Sequence, residues 1–87
     1  MSTYLKYVCY HADVRRYTRR LREKETSVKE VENRVARFKT CFNALKEDDD
    51  GIPEEDLLEI LEEGRASLRA AGKAIAAARR REAKTDA

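Results

Sequence analysis

Eighty-seven residues give room for one small domain, and 41% of them are charged against 41% hydrophobic, with a net charge of only +2. No apolar run approaches the roughly 18 residues that a membrane span needs, and two cysteines, Cys9 and Cys41, are too few for a disulfide scaffold. The balance argues against a membrane protein and a stapled secreted module, and for a reduced, cytoplasmic setting.

In chain order, Met1–Val8 lacks a basic start followed by an apolar core and is not read as a signal peptide. Between Met1 and Gly51 there is no proline or glycine. Tyr7, Tyr10, Val14, Tyr17, Leu21, Val28, Val31, Val35, Phe38, Phe42 and Leu45 recur in alternating steps of three and four, interrupted only at Lys24. Such spacing lines one stripe of a helix with apolar groups and leaves the other faces to charge. It predicts a helix over about residues 3–47. Ser27-Val28-Lys29-Glu30 has the pattern of a capping box, which offers a break near 24–27. Against the break, no Gly, Pro, Asn or Asp occurs at 22–27, and the heptad phase continues through Lys24. The continuous helix is the favoured reading.

Asp48-Asp49-Asp50-Gly51-Ile52-Pro53 is the one clear punctuation, an acidic turn over 48–53. Asp48, Asp50 and Gly51 resemble positions three, five and six of a calcium loop. Lys46 and Leu57 would then fill positions one and twelve, where carboxylates are required, so the match fails. A second helix is predicted over about 53–83, followed by a short tail, 84–87. Its stripe is Leu57, Leu61, Gly64, Leu68, Ala71, Ile75 and Ala78, with small residues on one heptad position. Phe38 and Phe42 should reach Leu61 and Gly64, large against small.

These elements give an all-α fold, one domain spanning 1–87: an antiparallel helical hairpin or a three-helix bundle with coiled-coil-like heptad packing. At about 1.5 Å per residue the first helix would reach roughly 66 Å and the second roughly 46 Å. In a hairpin, the excess at the N-terminus needs a second chain. In a three-helix bundle it becomes the third helix.

Charge is segregated along the chain. Residues 1–24 carry seven bases and two acids, 46–63 one base and ten acids, and 64–87 seven bases and two acids. Tyr4, Tyr7, Tyr10 and Tyr17 all lie in the first segment. With Leu5, Val8 and Cys9 they make residues 4–10 apolar nearly all round, a pattern that requires cover on more than one face. Either the four tyrosines belong to a core, or they are anchors for a partner or for a homodimer. Arg15, Arg16, Arg19 and Arg20 are read as steering an acidic protein surface. Arg22, Lys24, Arg79, Arg80 and Arg81 extend that basic set and suit either an acidic partner or nucleic acid. Nucleic acid is the lesser alternative, because the overall charge is small and no zinc-finger, helix-turn-helix or glycine-loop signature occurs.

Catalytic and metal chemistry find little support. His11 is the only histidine, and with Cys9 and Cys41 it supplies three soft ligands without the paired spacing of a zinc site. Both cysteines are read as small packing residues, and no cofactor is implied. The expected function is that of a non-enzymatic protein–protein interaction module: an adaptor, assembly factor or stoichiometric inhibitor. A virus or mobile element could encode such a protein, though no residue requires it.

Overall fold

The computed structural model describes residues 2–86 and contains three helices, α1 (Thr3–Arg22), α2 (Val28–Glu47) and α3 (Glu54–Asp86). They run up, down and up, so α1 and α3 are parallel neighbours and α2 lies antiparallel to both. The molecule measures 51 × 22 × 18 Å. Its long axis is set by α3, whose 33 residues span about 50 Å, while α1 and α2 have 20 each. The last turns of α3 therefore project beyond the other helices, and the helix continues through most of the predicted tail. Ala87, the end of that tail, lies outside the described residues.

The continuous first helix is not formed. Five residues, 23–27, separate α1 from α2. Lys24 adopts φ +62°, the left-handed conformation that usually selects glycine. The Glu25 amide donates to the Arg20 carbonyl at 2.7 Å and the Lys24 amide to the Leu21 carbonyl at 3.1 Å. These two bonds are the Schellman closure of a helix C-terminus, with lysine in the glycine position. Ser27 then caps α2, its hydroxyl accepting from the Glu30 amide at 3.2 Å, while the Glu30 carboxylate turns towards Arg34. Heptad phase survives the break because both helices present their stripes to one core. Replacing Lys24 by Gly should remove the left-handed strain and raise stability by about 1 kcal/mol, seen as a higher urea midpoint at unchanged slope. A lowered midpoint would contradict the closure.

The acidic turn is held by its own carboxylates. Asp48 accepts from the Asp50 amide at 3.2 Å and Asp49 from the Gly51 amide at 3.0 Å, with Asp50 and Gly51 both at positive φ. Asp50 also accepts from the Tyr4 amide at 3.5 Å, placing a negative charge at the positive end of α1.

Two apolar clusters run along the bundle. One gathers Tyr7, Val14, Phe38, Cys41, Phe42, Leu45, Leu61 and Ala71, and the other Leu21, Val31, Ala74 and Ala78. Phe38 and Leu45 are fully buried. Gly64 is where the aromatics converge: a Cβ there would stand 3.1 Å from Phe42 and 3.2 Å from Phe38. The expected large-against-small contact is present.

Candidate functional site

Helix α1 divides its residues among three surroundings, and this division decides which of the predicted site residues are available. Tyr7 points into the core, 2% exposed, and its hydroxyl donates to the Ile60 carbonyl at 2.6 Å. Burial, with the nearby Glu63 charge, pushes its phenol up to about 12. Tyr7 is thus a core residue of this chain. Tyr10 is half-buried against the same cluster. The Arg34 and Arg20 guanidinium groups lie over the Tyr17 ring, 4.5 and 5.1 Å from its centre, and Arg34 donates to its hydroxyl at 3.3 Å. Tyr4, also half-buried, lines a groove of about 460 Å³ between α1 and α3 together with Asp56, Glu59 and Glu63. Because three helices cover the aromatic stripe, no second chain is needed to bury it. Spacing within α1 carried no sign that α2 and α3 together supply the cover.

What α1 leaves outside is Leu5, Val8, Cys9 and Ala12, together with Lys6 and four arginines. Leu5 and Val8 are 53% and 44% exposed, and Cys9 is exposed too, unlike buried Cys41, whose thiol is pushed up by burial. Cys9 is therefore not the packing residue expected. Arg15, Arg16, Arg19 and Arg22 share the outward face with them. Arg16 is within 3.4 Å of Asp13, a pair too exposed to count for much. Arg15, Arg19 and Arg22 have no acid within ion-pair distance among the described residues.

The other basic groups are differently placed. The parallel arrangement brings the C-terminal ends of α1 and α3 to one pole, as the segregated charges suggest, with the ten acids of 46–63 towards the other. Within that pole Arg79 pairs with Glu32, and Arg81 donates to the Leu21 carbonyl at 3.5 Å, closing the end of α1. Arg20 reaches the Glu25 carbonyl at 3.4 Å. Lys24 and Arg80 are exposed.

A second groove, about 270 Å³, is lined by Arg15, Thr18 and Arg22 from α1 and by Ala66, Ser67 and Ala70 from α3. The small side chains make its floor shallow. Thr18 is 4% exposed, and its hydroxyl has no hydrogen-bond partner among the described residues. Beside it His11 Nε2 and the Ser67 hydroxyl share a 2.7 Å hydrogen bond, and the imidazole stacks on Phe38 at 5.1 Å and 10°. Burial lowers the His11 pKa below 6.5, the Arg15 charge adds to this, and Glu63 opposes it.

An imidazole that binds its proton less well in the fold leaves stability intact above pH 6.5 and reduces it as pH falls from there through the folded value. Urea midpoints should therefore drop between about pH 7 and pH 5 in the wild type. In His11→Gln, which keeps a hydrogen-bonding group but cannot titrate, the drop should flatten; an equal drop in both would assign the effect to carboxylates.

Among the described residues no group of three or more His, Cys, Asp or Glu side chains is arranged to hold a metal ion. No described helix is long and apolar enough to cross a membrane. No protein-family model, curated protein or solved structure matches the chain.

Proposed function

We propose that the protein is a non-enzymatic, cytoplasmic interaction module that docks an acidic protein surface on the basic face of α1. Arg15, Arg19 and Arg22, projecting without acidic partners from a helix whose opposite face is given to the core, carry this reading. An unpaired arginine on a rigid helix retains its full donor set for a carboxylate, and several in a row raise the encounter rate with a negative surface. Arg16 widens the face. Among the predicted anchors, Tyr4 keeps part of its ring accessible at the edge of the same helix pair. The module has no chemistry of its own in this reading. It acts as an adaptor, assembly factor or stoichiometric inhibitor, and it self-associates through its outer helix faces.

Nucleic acid is disfavoured because its basic set is partly engaged within the fold: Arg79 with Glu32, Arg81 with a backbone carbonyl, Arg20 with Tyr17 and Glu25. The test is stoichiometric capture of one protein from native extract by the wild type. Arg15→Glu/Arg19→Glu/Arg22→Glu should abolish the capture, and raised salt should weaken it. Capture that survives the charge reversal would remove α1 as the docking face. Tight, steeply salt-dependent binding of duplex DNA or RNA would replace the protein partner with nucleic acid.

A further inference from the structure

The two grooves between α1 and α3 form one continuous face with opposite charges at its ends. On α3 their lining residues Asp56, Glu59, Glu63, Ala66 and Ala70 recur in steps of three and four, so they form a single stripe. Lys73 continues it. Acids occupy the first half, small residues the middle and a base the last part. On α1 the matching order is Tyr4, then exposed Val8, then Arg15 and Arg22. Any face whose charge inverts along its length about an apolar centre is complementary to an upside-down copy of itself.

We infer that a second copy of this chain packs antiparallel on the α1–α3 face, about a two-fold axis that crosses the helices at the level of Ser67. The register within the chain says which charges would meet. The Tyr7–Ile60 and His11–Ser67 bonds set α1 residue n level with α3 residues n + 53 to n + 56, since 60 − 7 = 53 and 67 − 11 = 56. Taken at n + 56, each level holds to within about one helical turn. Arg15 is then level with Ala71, four residues past Ser67, and Glu63 lies four residues before it. Arg22 is level with Ala78, eleven past, and Asp56 lies eleven before. Inverting one copy about Ser67 brings Arg15 level with Glu63 of the second copy and Arg22 level with its Asp56. Each pair is made twice by symmetry.

Where the two α3 helices face each other, Ala66 and Ala70 allow close approach, and Glu59 falls within two residues of the level of Lys73 in the second copy. Val8 stands level with Gly64 of its own chain, three residues before Ser67, and inversion sets it level with Ala70 of the second copy, which covers it. The parallel alternative sets acids against acids and bases against bases, so charge selects the inverted arrangement.

This geometry rests on the reading of the α1 face as a docking surface, but it requires no foreign protein. Sedimentation velocity of the whole chain at several concentrations, in low and high salt, reads it directly. The 10.1 kDa chain should sediment as a dimer that dissociates as salt rises. Arg15→Glu/Lys73→Glu and Glu59→Lys/Glu63→Lys alter exposed positions only, and circular dichroism checks that both stay helical. Each variant alone should weaken association by at least about tenfold, and the equimolar mixture should recover the dimer, because every reversed charge then meets its opposite.

A wild type that remains monomeric at every concentration overturns the inference, as does a dimer that both variants retain or a mixture that stays monomeric. If the wild type is monomeric yet charge-sensitive capture of an acidic protein persists, the dimer alone fails. If the mixture recovers the dimer and no protein is captured, the foreign-partner reading fails instead.

Discussion

Phe38→Ala should destabilise the protein by about 3–5 kcal/mol, the usual range for emptying a fully buried aromatic site. Phe38 is 0% exposed and stands where all three helices meet, with Tyr7 at 5.0 Å, His11 at 5.1 Å and Phe42 at 6.2 Å between ring centres. Because its neighbours are rings carried by two different helices, the site cannot collapse by rotating one side chain. A domain of this size has a total stability of about 4–13 kcal/mol, so the variant should be largely unfolded at the lower end of that range. Urea denaturation at neutral pH measures the loss. A second readout comes from His11: with its stacking partner gone and water admitted, the imidazole pKa should rise back towards 6.5 in any folded population, seen by proton NMR. A loss below about 1.5 kcal/mol would mean that the core is not organised around this ring.

Gly64→Ala should destabilise by about 2–3 kcal/mol, although alanine is the better helix former by about 1 kcal/mol. The added methyl would fall inside van der Waals contact of the Tyr7 hydroxyl and would press on Phe42 and Phe38 at 3.1 and 3.2 Å. The hydroxyl cannot swing away without breaking its bond to the Ile60 carbonyl. Tyr7→Phe removes the obstructing atom and should by itself cost about 1 kcal/mol for the lost hydrogen bond. The double variant should therefore be more stable than the sum of the two losses allows, with a coupling of about 1 kcal/mol or more. Strict additivity would show that the methyl is accommodated elsewhere. By contrast Gly72, where an added Cβ meets nothing within 4 Å, should gain from the same change.

Both predictions fall on residues whose roles were partly legible from spacing. The three-four rhythm of Val14, Leu21, Val31, Phe38 and Leu45 identified the buried stripe, and these are buried. Asp48–Pro53 identified the second reversal, since only that segment combined a glycine, a proline and side chains that close local turns. Pairing of Phe38 and Phe42 with Gly64 also followed, from the coincidence of large and small heptad positions. The first reversal did not. Its Schellman closure uses Lys24, a residue with no turn preference, held left-handed by two backbone bonds and by the packing on either side. Ser27 was the one local signal for it.

The candidate site was legible as charge but not as geometry. Arg15, Arg19, Arg22 and Arg79–Arg81 were visible as basic clusters, yet only the packed helices separate those with acids or carbonyls beside them from those without. Tyr7 and Tyr4 have similar neighbours in sequence and opposite fates, one fully enclosed and the other at a groove edge.

The amino-acid order alone determined that the chain is helical, which stripe is buried and where the acids and bases concentrate, because periodicity and composition act within a few turns of chain. Tertiary structure alone decided that α1 folds back on its own chain, which tyrosines are enclosed and which arginines of α1 face outward without an acid beside them. Those outcomes depend on contacts between residues some fifty positions apart, such as His11 with Ser67 and Tyr7 with Ile60, and no local pattern encodes them.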